Sequence, residues 1–323
     1  MWSIYALSLS LFSQFLFLPM CEGLSFQEFI TVNVAQKAGL ELLSKRLRDK
    51  LPHDYMKKDI YLLRFLRDSD FDVDAAEARI KSFVDWRAKH NIDNVLREEF
   101  PEYDAEYRVI REGCDKGGNP VISLPIGDWD LRRIVIAGKS KRFVRYVQKI
   151  LEEGTGFLRW GQEEGFNMTQ ATILFDLKGV NLVTHVCGGC IPMYLELLSF
   201  SQTYYSGFAH KIHVLYAPDF SLSLWDLYKN LLTSSVAKLL EIHGTQKHLF
   251  AKELSREIDP SQLTQRYGGN KIEGVDLSTM RSAGPPAFLA NPFSLKLKEK
   301  NITDFCGIDW PKIENIIADS FHK

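Results

Sequence analysis

Few residues of this chain could do chemistry, and together they do not make a complete metal or catalytic site. The motif His185-x-Cys187-x-x-Cys190 has the spacing of part of a zinc site, but a structural zinc ion needs four ligands. The nearest other cysteines are far away in the sequence. We therefore interpret Gly188-Gly189 as a turn before a helix that starts near Pro192, and we expect neither a metal site nor redox activity here.

Other catalytic motifs are incomplete or missing. Gly154-Thr155-Gly156 resembles a fragment of a dinucleotide-binding loop, but it does not follow a strand and lacks the third glycine at the required spacing. The sequence has no Gly-x-Ser-x-Gly elbow and no Walker loop, and its histidines are scattered without a base–nucleophile pairing. We expect no catalytic residue and no cofactor. A nucleotide-dependent enzyme on an α/β sheet stays open as an alternative.

Three apolar segments predict the sheet that must position any site. Ala171–Val180 has an almost unbroken apolar run, which is typical of a strand covered on both faces within a parallel sheet. Ile212–Ala217 and Leu239–His243 predict two more strands, and helix-length segments separate all three. This order predicts βαβ units, and therefore an α/β fold with a mostly parallel sheet.

Phe220–Leu232, called the gate segment below, is apolar on nearly every side. A surface helix needs a polar face, and this segment barely has one. It is therefore either a core helix or a gate that packs on an apolar cavity in one state and on a membrane in another.

Amphipathic segments surround the predicted sheet. Tyr107–Arg111 and Val121–Ile126 predict a hairpin at a sheet edge. Apolar residues at helical spacing predict a block of three helices near the N-terminus, with Asp72 as an N-cap. The predicted helices are Val34–Leu51, Asp54–Arg67, Val73–Lys89, Lys139–Leu158, Pro192–Gln202 and His248–Arg256.

Length and composition limit the possible classes of protein. A length of 323 residues, with 45% apolar and 25% charged residues, is ordinary for a soluble globular protein. A net charge of −1 predicts no nucleic-acid partner, and five cysteines are too few for a disulfide scaffold. We divide the chain into an apolar N-terminal segment (1–23), an N-terminal helical domain (24–100), a sheet domain (101–270) and a partly ordered tail (271–323).

Two localisations are open. Ile4–Leu18 is apolar but shorter than the about 20 residues that span a bilayer. It fits the apolar part of a signal peptide, with Cys21 and Gly23 as small residues at cleavage spacing, although no basic residue precedes it. Glycosylation triplets begin at Asn167 and Asn301. We therefore consider a cytoplasmic protein with peripheral membrane association, or a protein secreted through a signal peptide. In the first case 1–23 is an unstructured extension.

Seven motifs occur in a fixed order between Asp59 and Gly269, and together they resemble one family. They are Leu62-Leu63-Arg64-Phe65-Leu66-Arg67 with Phe71-Asp72, Trp86-Arg87, Asp115-Lys116-Gly117-Gly118-Asn119-Pro120-Val121, Asp176-Leu177-Lys178-Gly179, Tyr204-Tyr205, Leu227-Tyr228-Lys229-x-Leu231-Leu232 and Tyr267-Gly268-Gly269. The chain resembles the CRAL-TRIO lipid-binding family, which includes phosphatidylinositol transfer proteins, the tocopherol and retinaldehyde carriers, and supernatant protein factor.

The resemblance implies a function. It implies a non-catalytic, monomeric carrier that holds one lipid in an apolar pocket. The sheet forms the floor of this pocket and the gate segment closes it. The carrier exchanges its lipid at membrane surfaces. A lipid-sensing adaptor is the alternative. The ligand-binding residues that we expect are Glu196, Lys229, Ile173, Phe175, Tyr205, Leu215, Phe220, Trp225 and Tyr228, and the expected gate residues are Phe220, Leu224, Trp225, Leu231 and Leu232.

The resemblance also carries expectations about the lipid. Glu196 and Lys229 fall where the phosphatidylinositol-binding members place a Glu and a Lys at the head group. Asp70 stands where those members have a basic residue, and Ala171 and Ile173 stand where a hydroxyl pair holds phosphatidylcholine. We therefore expect weaker phosphoinositide selectivity than in the transfer proteins.

Overall fold

The computed structural model describes residues 25–221, residues 229–277 and Cys306. The expectations for residues 1–23, for Leu224, Trp225 and Tyr228, and for most of the tail lie outside these residues. Within the described ranges, no helix combines the length and the apolar character needed to cross a membrane.

Ten α-helices are described. Asp72 caps the fourth, because its side chain accepts a hydrogen bond from the backbone N–H of Ala75. This confirms the predicted start of that helix. The helices are α1 Phe26–Ile30, α2 Val34–Leu47, α3 Asp59–Arg67, α4 Val73–Lys89, α5 Pro101–Asp104, α6 Leu131–Ile136, α7 Ser140–Glu163, α8 Cys190–Phe200, α9 Ser234–Leu239 and α10 Lys247–Glu257.

The strands form one six-stranded sheet of the expected α/β class. Its order is β5-β4-β3-β2-β1-β6. Strands β2 to β5 are parallel neighbours, and β1 is antiparallel to both β2 and β6. The strands are β1 Ile110–Cys114, β2 Pro120–Leu124, β3 Ala171–Asp176, β4 Ala209–Leu215, β5 Leu240–Ile242 and β6 Val275–Asp276.

The central strand β3 is not covered by protein on both faces, which corrects the prediction from its apolar run. Successive side chains of a strand point to opposite faces. Thr172 and Leu174 are buried on the face that α10 covers, called the back face below. Ile173 and Phe175 are only half-buried, because their face borders a cavity. We call this the cavity face.

The N-terminal helices share a core with the sheet domain. Phe65 of α3 and Phe83 of α4 belong to the same cluster of buried side chains as Phe143 of α7. A buried ion pair crosses the same boundary, since the Arg87 Nη1 atom lies 2.7 Å from the Glu152 Oε1 atom. The helical block is therefore fixed against α7, the long helix beside the cavity.

Two of the family-like motifs meet at one buried carboxylate. Asp176, at the end of β3, accepts hydrogen bonds from the Tyr267 hydroxyl (3.1 Å) and from the Arg266 guanidinium. Burial and the Asp176 charge raise the pKa of the Tyr267 phenol, so it stays a donor. Gly179 and Gly268 have φ values of 94° and 90°, a conformation that glycine adopts at little cost. These contacts thus fix the end of β3, and Leu177 of the first motif also lines the cavity described below.

Two disulfides pair the four described cysteines, which the sequence analysis did not expect. Cys187 and Cys190 are bonded to each other immediately before α8, and Cys114 of β1 is bonded to Cys306 of the tail. A disulfide has no thiolate to donate to a metal. The spacing of Cys187 and Cys190 is therefore that of a disulfide at a helix start and not of a zinc site.

Candidate functional site

The described part of the chain encloses a cavity of about 610 Å³ against the cavity face of the sheet. Its floor is formed by half-buried aliphatic and aromatic side chains on three parallel strands. These are Ile122 of β2, Ile173 and Phe175 of β3, and Ile212 and Val214 of β4. Volumes of about 300–1,000 Å³ are usual for pockets that hold small hydrophobic molecules.

Helix α7 forms one wall of the cavity. Its apolar face includes Val147, Ile150 and Leu151. Gly154 also lines the cavity, and no atom lies within 4 Å of the position where a Cβ would be, so the glycine leaves space for a ligand. Because Gly154-Thr155-Gly156 lies inside α7 and not at a helix N-terminus, it cannot hold phosphates on free N–H groups, as a dinucleotide loop does.

Two of the polar side chains that line the cavity, those of Tyr205 and Gln202, are held by protein partners. Tyr205 lines the cavity, and its hydroxyl donates a 2.7 Å hydrogen bond to the Glu152 Oε1 atom. Burial and the Glu152 charge raise the pKa of the Tyr205 phenol. Arg111 and Glu153 are the charged residues among the described residues that line the cavity. The lining suits an apolar molecule.

The C-terminal end of the gate segment forms a further side of the cavity. Leu232 lines it, together with Val236 of α9 and Leu240 of β5. Gln202 holds this end in place with both atoms of its amide. Its Nε2 atom donates to the Leu231 carbonyl oxygen at 3.0 Å, and its Oε1 atom accepts from the Thr233 N–H at 2.9 Å.

Comparison with known proteins identifies the family. A family model described as the CRAL/TRIO domain matches residues 105–269, which include strands β1 to β5 and most of the residues that line the cavity. The chain belongs to the CRAL-TRIO family. This is a family of lipid-binding and lipid-transfer proteins.

Individual CRAL-TRIO relatives are distant. The chain is 25% identical over 231 residues to the CRAL-TRIO domain-containing protein T23G5.2 of Caenorhabditis elegans, covering 69% of this chain and 31% of that protein. It is 25% identical over 216 residues to the phosphatidylinositol/phosphatidylcholine transfer protein SFH11 of Arabidopsis thaliana, covering 65% and 56%. It is 22% identical over 231 residues to the protein ctg-1 of C. elegans, covering 71% and 60%.

These alignments span less than two thirds of each relative's own length. A solved structure, the crystal structure of Sfh5, superposes with a TM-score of 0.61 at 15% identity, covering 84% of this chain and 98% of that one. This likeness shows that the two proteins share a fold.

The structure brings part of the predicted CRAL-TRIO site together. Ile173, Phe175 and Tyr205 line the cavity, as does the predicted gate residue Leu232. Leu215 does not, because it is fully buried on the back face. The sequence pattern around β4 could not assign that face, since a shift of one residue moves a side chain to the other side of the sheet.

The remaining predicted residues lie away from the cavity lining or outside the described residues. Phe220 is half-buried and is not among the described residues that line the cavity. Glu196, Lys229 and Leu231 have exposed side chains, and Leu231 is 44% exposed. The predicted positions Leu224, Trp225 and Tyr228 lie outside the described residues.

Sequence reasoning missed the contribution of α7 and β2. Ile150 and Gly154 of α7 and Ile122 of β2 line the cavity. The apolar stripe of α7 was visible in the sequence and predicted an amphipathic helix. A stripe alone does not distinguish a helix that packs on a core from one that packs on a cavity.

Proposed function

We propose that this CRAL-TRIO protein is a non-catalytic carrier that holds one lipid in the cavity and exchanges it at membrane surfaces. The observation that carries the proposal is the apolar cavity itself, which lies between the sheet, α7, α8 and the end of the gate segment. A non-catalytic role fits a lining in which most described side chains are apolar.

The energetics of a lipid explain why a carrier must open at a bilayer. Burial is worth about 0.8 kcal/mol per methylene, so an acyl chain of about 16 carbons gains on the order of 10 kcal/mol on leaving water. A ligand held this strongly does not escape through water at a useful rate. Exchange therefore requires that the cavity opens where a second apolar phase is present.

Exposed apolar side chains near the cavity support contact with a membrane. Ile136 of α6 is 73% exposed, and Leu182 and Val183, in the loop after β3, are 55% and 65% exposed. This loop is fastened to α6 by a hydrogen bond from the Arg132 N–H to the Thr184 carbonyl oxygen. Neighbouring exposed apolar side chains are typical of surfaces that bind membranes or partners.

In this proposal, Glu196 and Lys229 contact the polar head group of the lipid. Both side chains are exposed, and each lies close in sequence to a cavity-lining residue, Leu197 for Glu196 and Leu232 for Lys229. We propose that they meet a head group at the rim while the acyl chains fill the cavity.

The disulfides favour the secretory pathway as the place of action. Disulfides form and persist in oxidising compartments and are rare in the cytosol. Two disulfides fix described segments of this chain. We therefore propose that the protein folds in the secretory pathway.

Lipid recovery tests the cavity. We expect organic extraction of purified full-length protein to yield about one lipid per chain. Ile173→Glu, which places a carboxylate on the cavity floor, should lower the recovered lipid at least tenfold, because burying an unpaired charge is costly.

The matched control is Ile272→Glu, since Ile272 is 83% exposed and the charge there stays in water. Circular dichroism verifies that both variants are folded. Protein from several expression hosts that repeatedly carries no lipid, or equal recovery from the two variants, contradicts the proposal.

A further inference from the structure

The back face of the sheet carries a cluster of ionisable side chains that the lipid site does not use. His213 lies on β4 and is paired in register with Glu241 of β5, and His243 follows Glu241 by two residues. Cross-strand partners share a face, and so do residues i and i+2 of a strand. The three side chains therefore converge beside the edge strand.

The distances between their ligand atoms fit a tetrahedral metal ion. The His213 Nδ1 atom lies 3.2 Å from the His243 Nε2 atom and 3.4 Å from the Glu241 Oε2 atom. The Glu241 Oε2 and His243 Nε2 atoms are 3.8 Å apart. Bonds from zinc to nitrogen and oxygen of about 2.0–2.1 Å place tetrahedral ligands about 3.3 Å from each other, so one ion can reach all three atoms.

The surroundings also suit a metal ion. The Glu257 Oε2 atom of α10 lies 3.3 Å from the His213 Nε2 atom. This is an ion-pair distance without hydrogen-bond geometry. A carboxylate this close to the second ring nitrogen of a ligating imidazole is placed to orient the ring when a metal ion binds. The Lys211 ammonium contacts both Glu241 and Glu257. Two carboxylates facing one ammonium leave one negative charge, which a divalent cation compensates.

The ligand atoms are held by regular backbone structure. The His243 N–H donates to the Val214 carbonyl oxygen at 2.8 Å, and the Ala217 N–H donates to the His243 carbonyl oxygen at 2.9 Å. His213 is only 1% exposed, whereas Glu241 and His243 are 35% and 13% exposed. The site is thus rigid on its buried side and accessible from solvent on the other.

We propose that His213, Glu241 and His243 bind one zinc ion, with a water molecule in the fourth position. Two histidines and one carboxylate are a ligand set that zinc uses when it keeps an open position. Bound there, the ion links the short edge strand β5 to β4 without touching the cavity face.

Metal titration of the full-length protein tests the proposal. After dialysis against a chelator, we expect one Co²⁺ per chain to give the visible absorption of a four-coordinate ion, Zn²⁺ to displace it, and added Zn²⁺ to raise the melting temperature. His243→Ala and Glu241→Gln should each lower Zn²⁺ affinity at least tenfold, and Glu257→Gln should lower it by about 10–100-fold as an orienting partner.

His248→Ala is the matched control, because His248 is an exposed histidine on α10 and should bind Zn²⁺ as the unchanged protein does. Circular dichroism verifies that each variant is folded. The proposal is overturned if the dialysed protein shows no four-coordinate Co²⁺ absorption, or if His243→Ala and Glu241→Gln keep the affinity of the control. In that case the cluster is a hydrogen-bonded pair of histidines beside a carboxylate. Neither result bears on the lipid proposal.

Discussion

Recognition of a lipid head group depends on single residues, and Lys229 gives the most direct test of it. Lys229 begins the short turn Lys229–Leu231 and has an exposed side chain, while Leu232 already lines the cavity. An exposed ion pair is worth about 0–1 kcal/mol. Losing one therefore changes the affinity for a ligand by up to about fivefold. We therefore expect this lysine to tune selectivity among lipids rather than the overall affinity.

We predict that Lys229→Ala lowers transfer of phosphatidylinositol between vesicles by about threefold to fivefold and leaves tocopherol transfer unchanged. The physical reason is that only the first ligand presents an anionic phosphate to the ammonium. Lys238→Ala, an exposed lysine of α9, serves as the control and should change neither. If Lys229→Ala slows both ligands equally, the lysine acts on the membrane or the fold and not on the head group.

Among the elements, the gate segment is the one whose movement the proposed exchange requires. Gln202 follows α8 and holds the backbone at Leu231 and Thr233 through two hydrogen bonds. Each such bond is worth about 0.5–1.5 kcal/mol. In the proposed exchange, we therefore expect the amide to set how readily the C-terminal end of the gate segment leaves the cavity.

Gln202→Ala should speed lipid exchange between vesicles by about fivefold to 150-fold and shorten the retention of a fluorescent lipid, because the closed state loses both bonds, together about 1–3 kcal/mol. Stopped-flow transfer measures the rate. Gln246→Ala is the control, since Gln246 precedes α10 and makes no side-chain capping hydrogen bond. An unchanged exchange rate would show that this end of the gate segment does not limit opening.

Secondary-structure elements could be predicted where the sequence signal for them is local. The α/β class, the parallel strands and the Asp72 cap follow from apolar runs, their order and one polar side chain, and the structure confirms them. The prediction that protein covers both faces of β3 was wrong, because an apolar run looks the same whether its second face meets protein or a cavity. The register between strands explains two further features that the sequence analysis did not predict correctly. Neither the position of Leu215 on the back face nor the meeting of His213 with His243 can be seen before β4 and β5 are aligned.

On the scale of the whole molecule, the two disulfides close very different lengths of chain. Cys114 and Cys306 are 192 positions apart, whereas Cys187 and Cys190 are three apart. In the chain-entropy account, a cross-link stabilises more when it closes a longer loop. Cys306 and β6 also tie parts of the predicted tail to β1.

We predict that Cys306→Ser lowers the free energy of unfolding by about 2–5 kcal/mol, and that the double variant Cys187→Ser, Cys190→Ser, which opens only a short loop, lowers it by less. Urea unfolding measures both. Before reduction, Cys114, Cys187, Cys190 and Cys306 should resist a thiol reagent in the denatured protein, as peptide mapping by mass spectrometry checks. Labelling of any of these four in protein secreted from eukaryotic cells would contradict the pairing, and an equal loss in the two variants would contradict the loop-length argument.

The long disulfide has one more consequence. Strands β2 to β6, the gate segment and most of the residues that line the cavity lie between Cys114 and Cys306 in sequence. This part of the chain is therefore a covalent ring, and the backbone of the N-terminal helices joins it at one point. A protease that cuts this ring once, for example in the exposed stretch 244–246, turns the circle into a line but releases no fragment. Only reduction, or a second cut, separates the pieces.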